Sequence, residues 1–135
     1  MKKWIICFLL AISLLLSSMC SFSKDNGKIK KEILYEIVKK EKIPEKLKLQ
    51  IDNKKDQEFC ISYQDQEFLY LAKGYERQKT DGYSVKVTDC FETSGFLYFC
   101  TDLIGPPDKE AIKKESSHPY VVIRIKRTDK NIIFK

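Results

Sequence analysis

Apolar and polar positions alternate with a period of two over most of the second half of the chain. Phe59, Ile61 and Tyr63 alternate, and Gln64-Asp65-Gln66 forms a polar turn into Phe68, Leu69 and Tyr70. Further on, Tyr83, Val85 and Val87 alternate against Ser84, Lys86 and Thr88. A period of two places one set of side chains on one face of a strand, so each run predicts a half-buried strand. Phe96 to Cys100 is almost continuously apolar, which predicts a strand buried on both sides. Gly105-Pro106-Pro107 ends that strand, because proline has no N–H to give to a ladder. The charged run Asp108–Glu115 reads as a surface loop or a single helical turn. Tyr120 to Ile125 is rich in β-branched residues, and the polar turn Thr128-Asp129-Lys130 leads into a last strand, Asn131–Phe134.

The pattern changes earlier in the chain. Ile29–Val38 fits two periods at once: Ile29, Ile33, Leu34 and Ile37 suit a helix, while Ile33, Tyr35 and Ile37 suit a strand. The stretch PEKLKLQIDNKK is better defined. Pro44 fits a first helical turn, Glu45 complements the positive end of the helix dipole, and Leu47 and Ile51 lie one turn apart. Asn53 offers a stop. The expectation is a helix from Pro44 to about Asp52 that turns Ile43, Leu47 and Ile51 to the core. Together these elements predict an α+β domain: a mostly antiparallel sheet of about six strands with one short N-terminal helix.

The first residues bear on compartment. Lys2 and Lys3 form a basic head, Ile5 to Leu16 is an apolar run, and Ser17 to Ser23 is rich in small residues. This is the layout of a secretory signal peptide, and the run is shorter than the ~20 residues that span a bilayer. The expected division is a signal peptide over 1–23, a polar tether over 24–28 and a single domain over 29–135. A retained signal anchor is the alternative. A lipid anchor would fall on Cys20, but Met19 is too large for the small-residue triplet that precedes a lipidated cysteine. The expected location is extracytoplasmic, secreted or associated with the cell envelope.

The formal charge of +6 includes Lys2 and Lys3, so the exported domain keeps only a modest basic surplus. That surplus favours solubility and weak attraction to anionic wall polymer or membrane. Export argues against nucleic acid as a partner. Of five cysteines, Cys60, Cys90 and Cys100 lie beyond the leader, an odd number that leaves at least one free thiol or an intermolecular bridge. Direct pairing of Cys90 with Cys100 would force Phe96 into the hairpin turn at Thr93-Ser94-Gly95. Three buried thiols behaving as small apolar groups is the expected arrangement.

No catalytic constellation emerges. His118 is the one histidine, and its neighbour Pro119 marks a turn entering a strand. No cysteine has a local context that would lower its pKa. Nucleophile elbow, zinc-protease helix, paired-cysteine and phosphate-loop motifs are all lacking, and no cofactor or metal is implied.

The distinctive stretch is FLYLAKGYERQKTDGYSVKV, Phe68 to Val87. It reads as a strand, a turn region with two Gly-Tyr pairs (Gly74-Tyr75 and Gly82-Tyr83), and a second strand. Tyrosine beside permissive glycine provides contact area at low entropic cost, the composition of a recognition surface. Alternatively the rings fill the core and the glycines only shape the turn. Where the loop is a surface, Tyr75 and Gln78 are expected to be more exposed than Tyr83.

This stretch, with TDLIGPP, SHPYVVIRIK and the terminal NIIFK, resembles the protease complex subunit PrcB family, in its C-terminal domain. Gly74, Tyr75, Gln78, Thr80, Gly82, Tyr83 and Ser84 match the family's GYGEQxTGGYSI-like core. Glu76-Arg77 replaces the usual Gly-Glu, and Asp81 replaces the first glycine of the later pair, a place where Asp tolerates a positive φ. The resemblance implies a non-enzymatic exported accessory module that binds a protein partner, an exported protease among the candidates. Gly74, Tyr75, Gln78, Thr80, Gly82 and Tyr83 are then the expected partner-binding residues. A basic envelope-surface protein that binds anionic polymer or lipid is the alternative, and a cysteine-dependent enzyme is a third.

Overall fold

Ile43, Leu47 and Ile51 recur every four residues and all three are buried, Leu47 and Ile51 on one face of a helix and Ile43 just before it. The computed structural model describes residues 30–107 and 113–135. The expected signal peptide and tether, and residues 108–112 of the charged run, lie outside the described residues. The helix, α1, is Glu45–Lys54. Pro44 sits at its N-cap with φ −54°, and the Lys48 N–H donates to the Pro44 carbonyl at 2.9 Å. The helix runs one residue past the expected stop at Asn53, and a 3-10 turn, Lys40–Lys42, precedes it.

Eight strands are present among the described residues, not six: β1 (Lys31–Glu32), β2 (Glu36–Ile37), β3 (Phe59–Gln64), β4 (Phe68–Gly74), β5 (Ser84–Glu92), β6 (Phe96–Ile104), β7 (Tyr120–Lys126) and β8 (Asn131–Phe134). The two additional strands are two residues each and come from the segment whose period was ambiguous. Strand pairing therefore resolves that segment, and its helical alternative is excluded over residues 30–38. The helix consequently follows two strands and is not N-terminal in the fold.

The strands form two sheets, in the orders β1-β5-β6-β8 and β2-β7-β4-β3. Every pairing is antiparallel except that of β6 with β8, which is parallel. Leu69, Leu71, Val121, Ile123 and Ile125 of the second sheet pack against Cys90, Leu97 and Phe99 of the first. The opposite face of the second sheet, with Phe59, Ile61, Tyr70, Ala72 and Val122, packs under α1. The second sheet is thus the middle of three layers. That position explains why β4 is buried on both faces from Leu69 to Gly74.

The expectation of two-sided burial belonged to β6, and there the structure differs. Leu97, Phe99 and Thr101 point into the core, while Phe96 is 42% exposed and Tyr98 and Cys100 are half-buried. β6 lies in an outer layer, so only one of its faces meets another layer. Tyr98 instead stacks on Phe91 across the strand pair, at 4.7 Å between ring centroids and 11° between planes. A bulge between Val87 and Asp89 then shifts the register of β5, turning Cys90 inward after an otherwise regular alternation.

The turns follow the sequence reading. The Asp65 carboxylate accepts from the N–H groups of Phe68 and Glu67 at 2.7 and 2.8 Å, which stabilises the hairpin turn and holds that carboxyl below its ordinary pKa. The Thr93 N–H donates to the Phe96 carbonyl at 2.8 Å and closes the β5–β6 hairpin.

Candidate functional site

The loop between β4 and β5 begins where Gly74 lets the Phe59 ring approach the backbone. Gly74 lies opposite Phe59 in the sheet, and a Cβ there would overlap the Phe59 ring, reaching within 2.6 Å of Cδ1. Past Gly74 the chain leaves β4 but stays bound to the segment before β7. The Tyr75 N–H donates to the Pro119 carbonyl at 3.0 Å, and Gln78 and Ser117 exchange backbone hydrogen bonds at 2.9 and 3.0 Å. Ser117 Oγ donates to the Thr80 carbonyl at 2.7 Å. The Lys113 N–H donates to the Asp81 carboxylate at 2.9 Å. Residues 75–82 are thus laced to residues 113–119.

At the end of the loop Gly82 has φ +85°, the one positive φ among the described residues. A Cβ on it would come within 2.8 Å of the Pro106 side chain, and the Tyr83 ring lies near Gly105. The Gly-Pro-Pro element therefore packs directly on the second Gly-Tyr pair. Asp81, where the family core has glycine, keeps a negative φ and uses its carboxylate to hold Lys113. The substitution is compatible with the turn for that reason, and no left-handed aspartate is needed.

The six expected partner-binding residues are close in space but differ in setting. Gly74 is buried; Tyr75, Gln78, Thr80 and Tyr83 are all half-buried, and Gly82 is exposed. Tyr75, Gln78 and Tyr83 share the half-buried range, and internal hydrogen bonds hold the first two. Tyr75 Oη is 2.8 Å from Thr101 Oγ1, and the Gln78 side-chain amide donates to the Glu76 carbonyl at 2.8 Å. The exposed side chains of the loop are Glu76, Arg77 and Lys79.

Arg77 and Lys79 belong to a feature that the linear sequence conceals. Arg77, Gln78, Lys79, Lys114 and Ser116 line a recess of about 410 Å³. The Arg77 guanidinium donates to Ser116 Oγ at 2.8 Å. The signal was present as basic residues in both segments, but only the folded lacing, with the Gln78–Ser117 bridge at its centre, brings them together.

Beneath the loop lies a buried cation. Lys73 is 7% exposed and donates to Glu58 Oε1 at 2.5 Å, with Cys60 Sγ at 3.6 Å and the Tyr75 ring 5.1 Å away. Burial pulls its pKa down, but the Glu58 hydrogen bond and the neighbouring charges outweigh that, leaving the ammonium above its ordinary value. Lys73 therefore stays charged and fixes the start of the loop.

The thiols are not uniformly buried, which corrects the expectation. Cys60 is exposed on the edge strand β3, Cys100 is intermediate and Cys90 is buried. Burial, with the negative charge of Asp89, pushes the Cys90 thiol up to about 11. Cys90 lies opposite Phe99 and Cys100 opposite Asp89, so the two thiols are not cross-strand partners and all three are free. In the folded protein we expect iodoacetamide to label Cys60 first, Cys100 more slowly and Cys90 only after denaturation. Mass spectrometry of timed samples checks this order; early labelling of Cys90 would contradict the packing.

The His118 Nδ1–H donates to the Lys55 carbonyl at 2.8 Å, and Asp56 lies 3.5 Å from the same nitrogen. It ties the end of α1 to the segment that laces the loop. Among the described residues no three histidine, cysteine or acidic side chains gather as a metal site, and no helix is long and apolar enough to cross a membrane.

Residues 69–126 match the family model described as PrcB C-terminal. The match begins in β4 and ends with β7, so it contains the whole laced loop, the Gly-Pro-Pro element and the recess. No curated protein and no solved structure matches the chain.

Proposed function

With residues 69–126 matching the PrcB C-terminal family model, we propose that the chain is a non-enzymatic accessory module that engages a protein partner through the Gly74–Tyr83 loop. The family resembled is named for a protease-complex subunit, so a protease or its precursor is the first candidate partner. The basic head, apolar run and small-residue tail of residues 1–23 support an extracytoplasmic location.

One observation carries the reading. The family core is spent on presenting a loop: Gly74, Tyr75, Gln78, Thr80 and Gly82 hold residues 76–79 outward in a fixed form. A loop braced this way loses little entropy on binding, which is what a recognition element requires. A photo-activatable crosslinker at Lys79 is expected to capture a distinct protein from a cell-envelope extract. The same group at Leu49, 64% exposed on α1, is expected to capture nothing comparable. Equal capture from both positions, or capture from neither, would refute the loop as a docking element.

A further inference from the structure

The laced loops do more than present backbone; they converge positive charge. We infer that the recess beside the loop takes an acidic peptide segment, so that the partner contributes aspartate or glutamate side chains to Arg77, Lys79 and Lys114. This rests on the binding-module reading and adds the chemistry of what is recognised.

Three of the five residues lining the recess are cationic, and the other two, Gln78 and Ser116, are polar and uncharged. Among the described residues no acidic side chain lines it and none of the three cations forms an ion pair. Elsewhere on the surface several cations are matched, among them Lys30 to Asp89, Arg124 to Glu36 and Lys130 to Glu92. The recess concentrates unmatched charge in one place.

Its cations are also positioned. Arg77 is held from one side by Ser116 Oγ at 2.8 Å, which leaves the rest of its planar fork for a carboxylate. Lys114 is carried by a segment paired to the loop through Gln78–Ser117 and Asp81–Lys113. A volume of about 410 Å³ suits one or two side chains and their backbone. Wall polymer would be tracked by cations spread along a groove; here they face a single recess. That geometry favours a short acidic peptide, an ionic contact that weakens with salt.

The test uses the full chain in low salt, with a fluorescent Glu-Gly repeat peptide and its Gln-Gly counterpart as probes. Binding is followed by anisotropy for the wild type and two variants with equal charge loss. One is Arg77→Gln, Lys79→Gln, Lys114→Gln; the other is Lys46→Gln, Lys48→Gln, Lys54→Gln on α1. Thermal midpoints show that both variants fold. We expect the Glu-Gly peptide alone to bind, and the recess variant to weaken it roughly tenfold while the helix variant barely changes it. Equal loss in both variants would mean diffuse charge attraction and would overturn the inference. So would absence of Glu-Gly binding, or displacement of the peptide by a poly(glycerol phosphate) chain that binds the recess more tightly. The Lys79 crosslinker capture separates the two levels. If the partner is still captured while the recess variant binds it normally, the acidic contact is wrong and the binding module stands. If nothing is captured from any position, both fall together.

Discussion

Gly74→Ala is expected to destabilise the protein by about 2–3 kcal/mol, the upper part of what an overpacked core costs. The cause is local and steric. An added Cβ would overlap Cε1, Cζ and Cδ1 of Phe59, which is buried at the edge of the core beneath α1. The ring cannot swing away freely, because Tyr120 lies beside it at 6.3 Å between centroids. Either Phe59 is expelled or β3 shifts against β4, and both routes lift the first residue of the loop. The midpoint of thermal unfolding should fall by roughly 8–12 °C for a domain of this size. The second variant Gly74→Ala, Phe59→Leu gives the new methyl room and should recover part of the loss. A Gly74→Ala protein with unchanged stability would show that Phe59 is not where the structure places it. Recovery by the double variant would show that glycine is needed here for space, since its φ is not positive.

Gly74 also illustrates which parts of the molecule are legible in the sequence. The Gly-Tyr pairs marked the loop, and the distant Gly-Pro-Pro and Ser-His-Pro-Tyr elements marked its surroundings. What each glycine does was not legible. Gly74 is needed because Phe59 crosses it, Gly82 because its φ is +85° beside Pro106, and both partners are distant in sequence. The helix was legible because Pro44, Leu47 and Ile51 act within a single element. β1 and β2 were not, because two residues cannot display a period and their partners, β5 and β7, come much later. The recess failed to show for the same reason: Arg77 and Lys79 meet Lys114 only through hydrogen bonds between distant segments, the Gln78–Ser117 bridge among them. The half-buried state of Tyr75 was hidden too, since its anchor is Thr101 on a strand of the other sheet.

The layer order decides the second large effect. Phe99→Ala is expected to cost roughly 3–5 kcal/mol, the range for a large aromatic removed from a core. Phe99 is 1% exposed, sits between the two sheets, and meets Phe134 edge-on at 5.8 Å between centroids. Its loss would open a cavity under Leu71 and Ile123 and loosen the parallel strand β8, which is held to β6 over Phe96 to Phe99. Phe96→Ala, on the other face of the same strand, should cost about 0.5 kcal/mol or less, as surface changes do. The pair forms a direct measurement of sidedness, read from urea denaturation midpoints at equal m-value. A strand buried on both sides, as the apolar run alone suggests, would make the two losses comparable. A large difference between them places β6 in an outer layer and β4 in the middle. That order matters for the loop, because Gly74 leads out of the middle layer while Tyr75 reaches Thr101 in the outer one. The loop is clamped between layers, so weakening the contact of the sheets at Phe99 should also slacken the segment that carries Arg77 and Lys79.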